Sequence, residues 1–299
     1  MLAIFLMAAN TACNSSGNGS GVEDTITIYD GEFAEMKIIH QMVKLLVEEH
    51  TDAKVEIKDQ MSPVNSYNEV LKGTADMMNS YDGTLLTTFL HLDPSDVPEG
   101  QNLCDFVNEQ AAEKGVRLLD KLGTNNTYIL ASPVDTAEKY GLNTTSDLIP
   151  VAGELVFGAE HDFFTEEGSA KFNPLTEFYG LKFKDAKQID INLKYSAIDS
   201  GNIDVTVAYA TDARNRQSNM KLLEDDRNFF PEYNGALLVR TDLFDRLSET
   251  APNLEEVLNK MGGIFTDEDM VNLSYEVDIE GRSVEEVSRE YLQQLGLIS

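Results

Sequence analysis

The chain has 299 residues, which gives room for one large domain or two smaller ones. Its composition, 42% hydrophobic and 25% charged, is that of a soluble globular protein. The chain is strongly acidic, with 23 Lys and Arg against 52 Asp and Glu and a net charge of −29. This charge would repel a phosphate backbone and attract a cationic ligand over a long range. The composition therefore argues against a nucleic-acid partner, although solubility alone also explains the charge.

Residues 1–23 read as a targeting segment followed by a linker. The run "MLAIFLMAANTAC" is apolar and too short to span a bilayer as a helix. With Cys13 after small residues and "NSSGNGSG" behind it, the run resembles a bacterial lipoprotein signal, although Asn10 stands where a leucine is usual. That resemblance implies a lipid on Cys13, a flexible tether, and an extracytoplasmic protein anchored to the outer face of the cell membrane. The alternative is a free thiol on a disordered tail.

The first 90 residues alternate between strand and helix patterns. "DTITIYD" (24–30) predicts a strand, and "EFAEMKIIHQMVKLLVEEH" (32–50) has apolar residues at helical spacing. A strand in "AKVEIKDQM", a short helix in "SYNEVLKGT" and a strand in "ADMMNSY" complete a β-α-β-α-β order, which predicts a parallel sheet covered by helices. The next segment, "FVNEQAAEKGVRLLD" (106–120), predicts a helix.

A second unit begins near Leu130. "TYILAS" and "LVFGAEHDFF" contain strand patterns, with helix and turns between them. "LKYSAIDSGNIDVTVAYATD" predicts a helix, a turn and a buried strand, the same order as "YNEVLKGTADMMNSYDGT" in the first unit. This echo indicates two similar lobes. The chain then returns to amphipathic helices, the last of which opens with Ser283 and Glu286 in capping-box spacing.

The sequence offers no recognisable catalytic machinery. It contains no G-x-S-x-G, no P-loop and no G-x-G-x-x-G, and its two cysteines and four histidines lack metal-ligand spacing. We therefore expect no enzymatic activity, no cofactor and no metal. What recurs is tyrosine at strand and loop ends: Tyr81, Tyr128, Tyr209 and Tyr233. Together they could line a cleft between the lobes, and each one alone could equally serve packing.

The segments that carry these tyrosines resemble the extracytoplasmic substrate-binding proteins of ABC importers for glycine betaine, carnitine and choline. The resemblance runs from about residue 25 to residue 298, in the family's order, and is most specific over 192–292. It rests on "NEVLKGTADMMNSYDGT", "GTNNTYILAS", "LKYSAIDSGNIDVTVAYATD" and "KLLEDDRNFFPEYNGALLVR". It implies an α/β fold of the two-lobed periplasmic-binding-protein type (type II-like). The ligand cleft would lie between lobes joined by two crossing strands near Leu130 and Phe230.

The resemblance also implies boundaries, binding residues and partners. Lobe 1 would comprise residues 24–130 and 231–299, and lobe 2 residues 131–230. The family's "Y-x-G-T", "N-N-T-Y", "A-[FY]-x-T-D" and "F-P-x-Y" tyrosines form an aromatic box, and the matching positions are Tyr81, Tyr128, Tyr209 and Tyr233. Such a box suits a trimethylammonium group, which has no N–H to donate and whose charge is attracted by ring faces. The expected partners are a membrane permease and an ATPase on other chains, and the protein is expected to be a monomer.

Two positions depart from the family pattern. Met36 stands where relatives have a glutamine that helps to hold a carboxylate or hydroxyl, and Met36 cannot donate a hydrogen bond. Asp82 stands in place of a threonine, while Thr84 is kept as a candidate polar contact. In the cleft, Asp82 would repel a betaine carboxylate and favour choline or another cation. Alternatively, Asp82 faces solvent or caps a turn or a helix start.

Other functions stay open at this level. The ligand could be choline only, or another cationic or betaine compound. The same fold could serve a lipid-anchored ligand sensor, which an isolated gene would favour over one beside a permease gene. An enzyme with an unrecognised site would reveal itself by turnover of the bound ligand.

Overall fold

The computed structural model describes residues 24–164, 170–190 and 193–299. Cys13 and the tether predicted after it lie outside the described residues. The strands, β1 to β10 in chain order, are Thr25–Tyr29, Lys54–Lys58, Met77–Tyr81, Val116–Asn125, Tyr128–Pro133, Val156–Ala159, Asp185–Gln188, Val205–Tyr209, Met220–Leu223 and Asn234–Arg240. The α-helices, α1 to α12, are Ala34–His50, Pro63–Lys72, Asp82–Thr84, Leu103–Ala111, Val134–Tyr140, Phe172–Tyr179, Lys194–Asp199, Ala213–Gln217, Leu243–Arg246, Leu254–Asn259, Asp267–Asp278 and Val284–Gln294. Within the described ranges, no helix is both long and apolar enough to cross a membrane.

The strands form three sheets, one parallel, one antiparallel and one mixed. β1 and β2 pair in parallel, as the alternating pattern predicts. β10 lies between β3 and β4 and is antiparallel to both. The remaining strands follow the order β7-β6-β8-β5-β9. The prediction that β3 belongs to a parallel sheet with β1 and β2 is therefore wrong, because β3 pairs with a strand that the chain forms only on its return at residues 234–240.

The buried apolar side chains fall into three clusters. The largest joins α1 and β1 to the C-terminal helices and includes Ile38 and Leu292. A second lies around Tyr67 and Phe106. The third is confined to residues 130–230. Separate cores of this kind are what two lobes require, and the exact lobe boundaries stay a prediction.

The predicted helix of residues 106–120 is wrong in its second half. α4 ends at Ala111, and β4 follows with Val116, Leu118 and Leu122 buried. β4 pairs with β10, more than 100 residues further along the chain. A long-range strand partner of this kind outweighs local helix preference. Of the capping box predicted at the last helix, the Ser283 half is present, since the Glu286 N–H donates to the Ser283 hydroxyl at 3.2 Å.

Two connections run side by side between the sheets of the two lobes. Residues 126–127 link β4 to β5, and residues 224–233 link β9 to β10. The Asn126 N–H donates to the Tyr233 carbonyl at 3.0 Å. The Tyr233 N–H in turn donates to the Asn125 side-chain oxygen at 2.7 Å. These bonds hold the two connections at a fixed spacing, so the residues next to them occupy defined positions.

At Gly123, β4 lies close to the backbone of Phe265 in the C-terminal part of lobe 1. The φ of Gly123 is +106°, and a Cβ there would overlap the backbone carbonyl of Phe265. We expect Gly123→Ala to lower the free energy of unfolding by about 2–4 kcal/mol, since strain and overlap add. Gly141→Ala is the matched control, because Gly141 has φ +68° and no described atom within 4 Å of an added Cβ. Urea unfolding of both variants checks this, and equal losses would contradict it.

Candidate ligand-binding cleft

Two of the predicted box tyrosines are register partners in one sheet. Tyr128 begins β5 and Tyr209 ends β8, and the antiparallel pairing of these strands sets the two residues opposite each other. Their rings stack with centroids 5.1 Å apart and planes 28° apart. Tyr128 also meets the edges of Phe163 and Phe230. Tyr209 is 38% exposed, so one aromatic wall is fixed by packing and reaches solvent.

A buried cation lies behind this wall. The Lys194 Nζ is 6.0 Å from the centroid of the Tyr209 ring. It donates to the Val207 carbonyl at 2.9 Å and forms an ion pair with Glu160 at 3.4 Å. The Asn215 side-chain amide donates to the Tyr209 carbonyl at 2.7 Å. The backbone and the ring of Tyr209 are therefore held by neighbours in lobe 2.

The other two tyrosines come from lobe 1. Tyr81 ends β3 opposite Gly235. Tyr233 lies just before β10, and its ring rests on Gly83, where an added Cβ would be only 2.8 Å from Cε2 of that ring. Burial raises the pKa of Tyr128, followed by Tyr209 and Glu160, with a smaller contribution from the phenol of Tyr233. The backbone of Tyr233 is bonded to Asn125 and Asn126, so Tyr233 lies beside the connection that leads to Tyr128, while among the described residues its ring stacks on neither Tyr128 nor Tyr209.

Tyr81 is joined to this group through polar side chains. Among the described residues, its ring has no stacking partner within the box, and its hydroxyl instead donates to Glu35 Oε1 at 3.0 Å. The side-chain amide of Asn126, two residues before Tyr128, lies 3.5 Å from the Tyr81 hydroxyl. Tyr81 thus faces the connection between the lobes, while its direct contact with a ligand stays a prediction.

Glu35 is a site residue that the sequence analysis missed. Its side chain is nearly buried, at 6% exposure, at the start of α1. Besides Tyr81, its carboxylate accepts a hydrogen bond on Oε2 from the Thr211 hydroxyl at 2.7 Å, and the Asn126 amide lies 3.5 Å from the same oxygen. Glu35 therefore joins lobe 1, a connection and lobe 2 at one point. In the sequence, its only signal is its place one residue before Met36 in a motif already linked to ligand binding.

Burial changes the acidity of this carboxyl group. It raises the pKa of Glu35 from 4.5 to about 7, with the hydrogen bonds from Thr211 and Tyr81 acting in the opposite direction. The negative charge of Asp267 adds to the rise. The protonated form of Glu35 is therefore populated near neutral pH, which is not so for an ordinary glutamate.

Asp82 is held inside lobe 1. It is 1% exposed, and its Oδ1 accepts hydrogen bonds from the N–H groups of Gly83 (2.8 Å) and Asn234 (2.9 Å). Its Oδ2 accepts from the Asn234 side chain at 2.8 Å and lies 3.8 Å from Lys121 Nζ. Burial raises the pKa of Asp82, and the bonds from Asn234 oppose that rise. The alternative that Asp82 faces solvent is therefore wrong, because its carboxylate is buried and bonded to Gly83 and Asn234. A contact with ligand stays a prediction.

Two further candidates, Thr84 and Met36, have simple surroundings, as does Arg214, three residues after Thr211. Thr84 is half-buried, and its hydroxyl makes no hydrogen bond to the described part of the chain. Met36 is 4% exposed and packs on Gly31, which leaves no room for a Cβ there. Arg214 forms a two-pronged pair with Asp212, at 3.2 and 3.1 Å. Thr84 therefore presents a hydroxyl that has no protein partner among the described residues and is available to a ligand.

A model of the substrate-binding domain of the ABC-type glycine betaine transport system matches residues 24–294. The chain belongs to this family. The match covers every element from β1 to α12, including all four tyrosines and Glu35. The chain is thus a substrate-binding domain of the ABC-importer type, as the resemblance implies.

Individual relatives agree with this family. The carnitine transport binding protein of Listeria monocytogenes is 32% identical over 287 residues, covering 95% of this chain and 91% of that protein. The ergothioneine transport permease/ergothioneine binding protein of Helicobacter pylori is 30% identical over 270 residues, covering 88% of this chain and 46% of that protein. A crystal structure described as a glycine betaine/carnitine/choline ABC transporter has a TM-score of 0.82 and 27% identity, covering 92% of this chain and 100% of that chain. The predicted two-lobed α/β fold is confirmed.

Glu35 should leave a signature in the pH dependence of stability. Its pKa is about 7 in the folded protein against 4.5 for an ordinary Glu. Between these values the folded protein keeps a proton that the unfolded chain has released, so this contribution is present below pH 4.5 and is lost as pH rises through 7. We expect a loss of about 3 kcal/mol over this window.

The measurement is the free energy of unfolding at pH 4.5 and pH 7.5 for the wild type and for Glu35→Gln. The pH-dependent difference between the two should equal the contribution of Glu35, whatever the other carboxylates do. Glu154→Gln, at an exposed carboxylate, serves as control and should follow the wild type. Parallel curves for wild type and Glu35→Gln would show that Glu35 does not titrate in this range.

Gly83 should be coupled to Tyr233. Because an added Cβ would lie 2.8 Å from the ring, we expect Gly83→Ala to lower the free energy of unfolding by about 1–3 kcal/mol. In the Tyr233→Ala background the same change should cost much less, since the ring is gone. A double-mutant cycle by urea unfolding gives the coupling energy. Additive effects would mean that the ring does not rest on Gly83.

Proposed function

We propose that this protein captures a quaternary ammonium compound, such as glycine betaine, carnitine or choline, in a box of Tyr81, Tyr128, Tyr209 and Tyr233. The observation that carries the proposal is the stacked pair of Tyr128 and Tyr209 next to the connection to which the backbone of Tyr233 is bonded. The family membership and the names of its relatives support the same ligand class.

The physical chemistry of such a ligand fits these surroundings. A trimethylammonium group is bulky, weakly hydrated and unable to donate an N–H hydrogen bond, so ring faces are suitable partners. Each desolvated ring contributes about 1–2 kcal/mol, and four contribute about 4–8 kcal/mol. Micromolar binding corresponds to about 8 kcal/mol. Since association also has an entropic cost, contacts at the other end of the ligand must supply the rest.

Thr84, Met36 and Asp82 define that other end in the proposal. The Thr84 hydroxyl is available as a donor or acceptor. Met36 offers an apolar surface where relatives are expected to offer an amide. Asp82 carries a negative charge near Tyr81 and Gly83, although its oxygens are engaged by Asn234. The alternative ligand range, choline or another cation without a carboxylate, depends on whether that charge is felt in the cleft.

The proposed transport role needs partners outside this chain. A permease would receive the ligand from the closed lobes, and an ATPase subunit would drive import. A lipid on Cys13 would hold the protein at the outer face of the membrane, as a monomer. These assignments follow from the family and from the N-terminal sequence rather than from the described residues.

The first test is calorimetric titration of the soluble protein with choline, glycine betaine and carnitine. We expect micromolar binding of at least one of them, and a loss of about 5- to 30-fold in Tyr209→Ala, because one desolvated ring worth about 1–2 kcal/mol is removed. Tyr209→Phe should stay close to the wild type, since the ring is kept. Binding of choline alone would support the choline-only alternative and a role for Asp82.

Tyr140→Ala is the matched control for the loss of a ring. Tyr140 lies at the end of α5 and its hydroxyl donates to Glu154, away from the box. It should leave all three affinities unchanged. If none of the three compounds bound, the proposed ligand class would be wrong.

A further inference from the structure

The carboxylate of Glu35 accepts hydrogen bonds from residues of both lobes. α1 belongs to lobe 1, yet its Glu35 carboxylate accepts a 2.7 Å hydrogen bond from Thr211, 176 residues away in lobe 2. Thr211 follows Tyr209 by two residues and is 4% exposed. The other oxygen of Glu35 accepts from the hydroxyl of Tyr81. One carboxylate therefore bridges the segments that carry two box tyrosines, one from each lobe.

The hydrogen bond from Tyr81 to Glu35 also changes the electrostatics of the Tyr81 ring. A phenol that donates to a carboxylate forms a charge-assisted hydrogen bond, and its ring becomes richer in electron density. An electron-rich ring face attracts a cation more strongly. The carboxylate adds a direct attraction to a cation held nearby, and in a site sheltered from water that attraction is stronger than at the surface.

We propose that Glu35 is a positioning residue of the cleft, which ties Tyr81 to Thr211 across the two lobes and becomes the anionic partner of a bound cation. The inference rests on the proposed function, because it needs a cationic ligand in the tyrosine box. It goes beyond that function by coupling ligand binding to the release of a proton from Glu35.

The release of this proton follows from the charges and hydrogen bonds around Glu35. The charged group that acts on it from α11 is Asp267, whose negative charge disfavours ionisation. β3 contributes the neutral phenol of Tyr81, the connection contributes the Asn126 amide, and lobe 2 contributes the Thr211 hydroxyl. None of these supplies a positive charge. A ligand cation would supply it, so the protonated carboxyl group would give its proton to the buffer as the ligand enters.

The experiment is calorimetric titration with choline at pH 7 in phosphate and in Tris, whose heats of ionisation differ. We expect wild type to release a fraction of a proton per bound ligand, because Glu35 is partly protonated at this pH. We also expect choline affinity to rise about fivefold from pH 6 to pH 8, which corresponds to a fall of about one in the pKa of Glu35 when the ligand binds. In Glu35→Gln both the proton release and this pH dependence should vanish.

Two further variants separate positioning from folding. Thr211→Val keeps the shape but removes the bond between the lobes, and should weaken binding while proton release persists. Glu154→Gln removes an exposed carboxylate and should behave as wild type. A purely structural Glu35 would change stability without changing the proton count.

The outcomes distinguish this inference from the proposed function. Choline binding with no proton release, or with proton release retained in Glu35→Gln, would overturn the role of Glu35 and leave the tyrosine box standing. If choline, glycine betaine and carnitine all failed to bind, the proposed function would fail and the role of Glu35 with it.

Discussion

The pairing of the two connections between the lobes fixes where the cleft residues lie. The Thr127 hydroxyl donates to the Pro231 carbonyl at 2.6 Å, and the Asn126 N–H donates to the Tyr233 carbonyl at 3.0 Å. Tyr128 follows the first connection directly, and Tyr233 ends the second. Because the backbones of the connections are bonded to each other, the two tyrosines start from neighbouring backbone positions. The lobes can change their angle only by changing dihedral angles near these bonds.

Strand direction explains why the remaining tyrosines join them. In an antiparallel pair the first residue of one strand faces the last residue of the other, and this brings Tyr128 beside Tyr209. In lobe 1, β3 ends at Tyr81, which pairs with Gly235 near the start of β10. Tyr233 is the residue just before β10. Tyr81, Tyr128 and Tyr209 are therefore placed by the ends of strands and not by a dedicated loop.

The positions of these tyrosines could be predicted because they depend on local pattern. Each follows or begins an apolar run, and the end of such a run is visible in the sequence. β4 could not be predicted in the same way, since its residues continue a helical pattern and its strand state depends on β10. The direction of β3 depended on the same distant strand.

Glu35 and Asp82 show the same limit at the level of single side chains. In the sequence, Glu35 is one acidic residue among 52 and sits where helices commonly carry one. Its distinction comes from burial and from a hydroxyl 176 residues away. Asp82 was recognised as unusual, but its partner Asn234 is 152 residues away, so its orientation could not be deduced. A buried carboxylate is identified by its partners, which local sequence does not show.

The bond between Glu35 and Thr211 has a consequence for affinity that the rings do not have. A ligand binds tightly only to the fraction of molecules whose lobes are already arranged around it, and the apparent affinity falls with that fraction. A hydrogen bond to a charged group contributes about 1.5–3 kcal/mol, enough to change this fraction by roughly 10- to 100-fold. Protonation of Glu35 removes the charge and weakens the bond. Acidification would therefore act twice on binding, once through the charge beside the cation and once through the population of the bridged arrangement, whereas the tyrosine rings act only after the lobes have met.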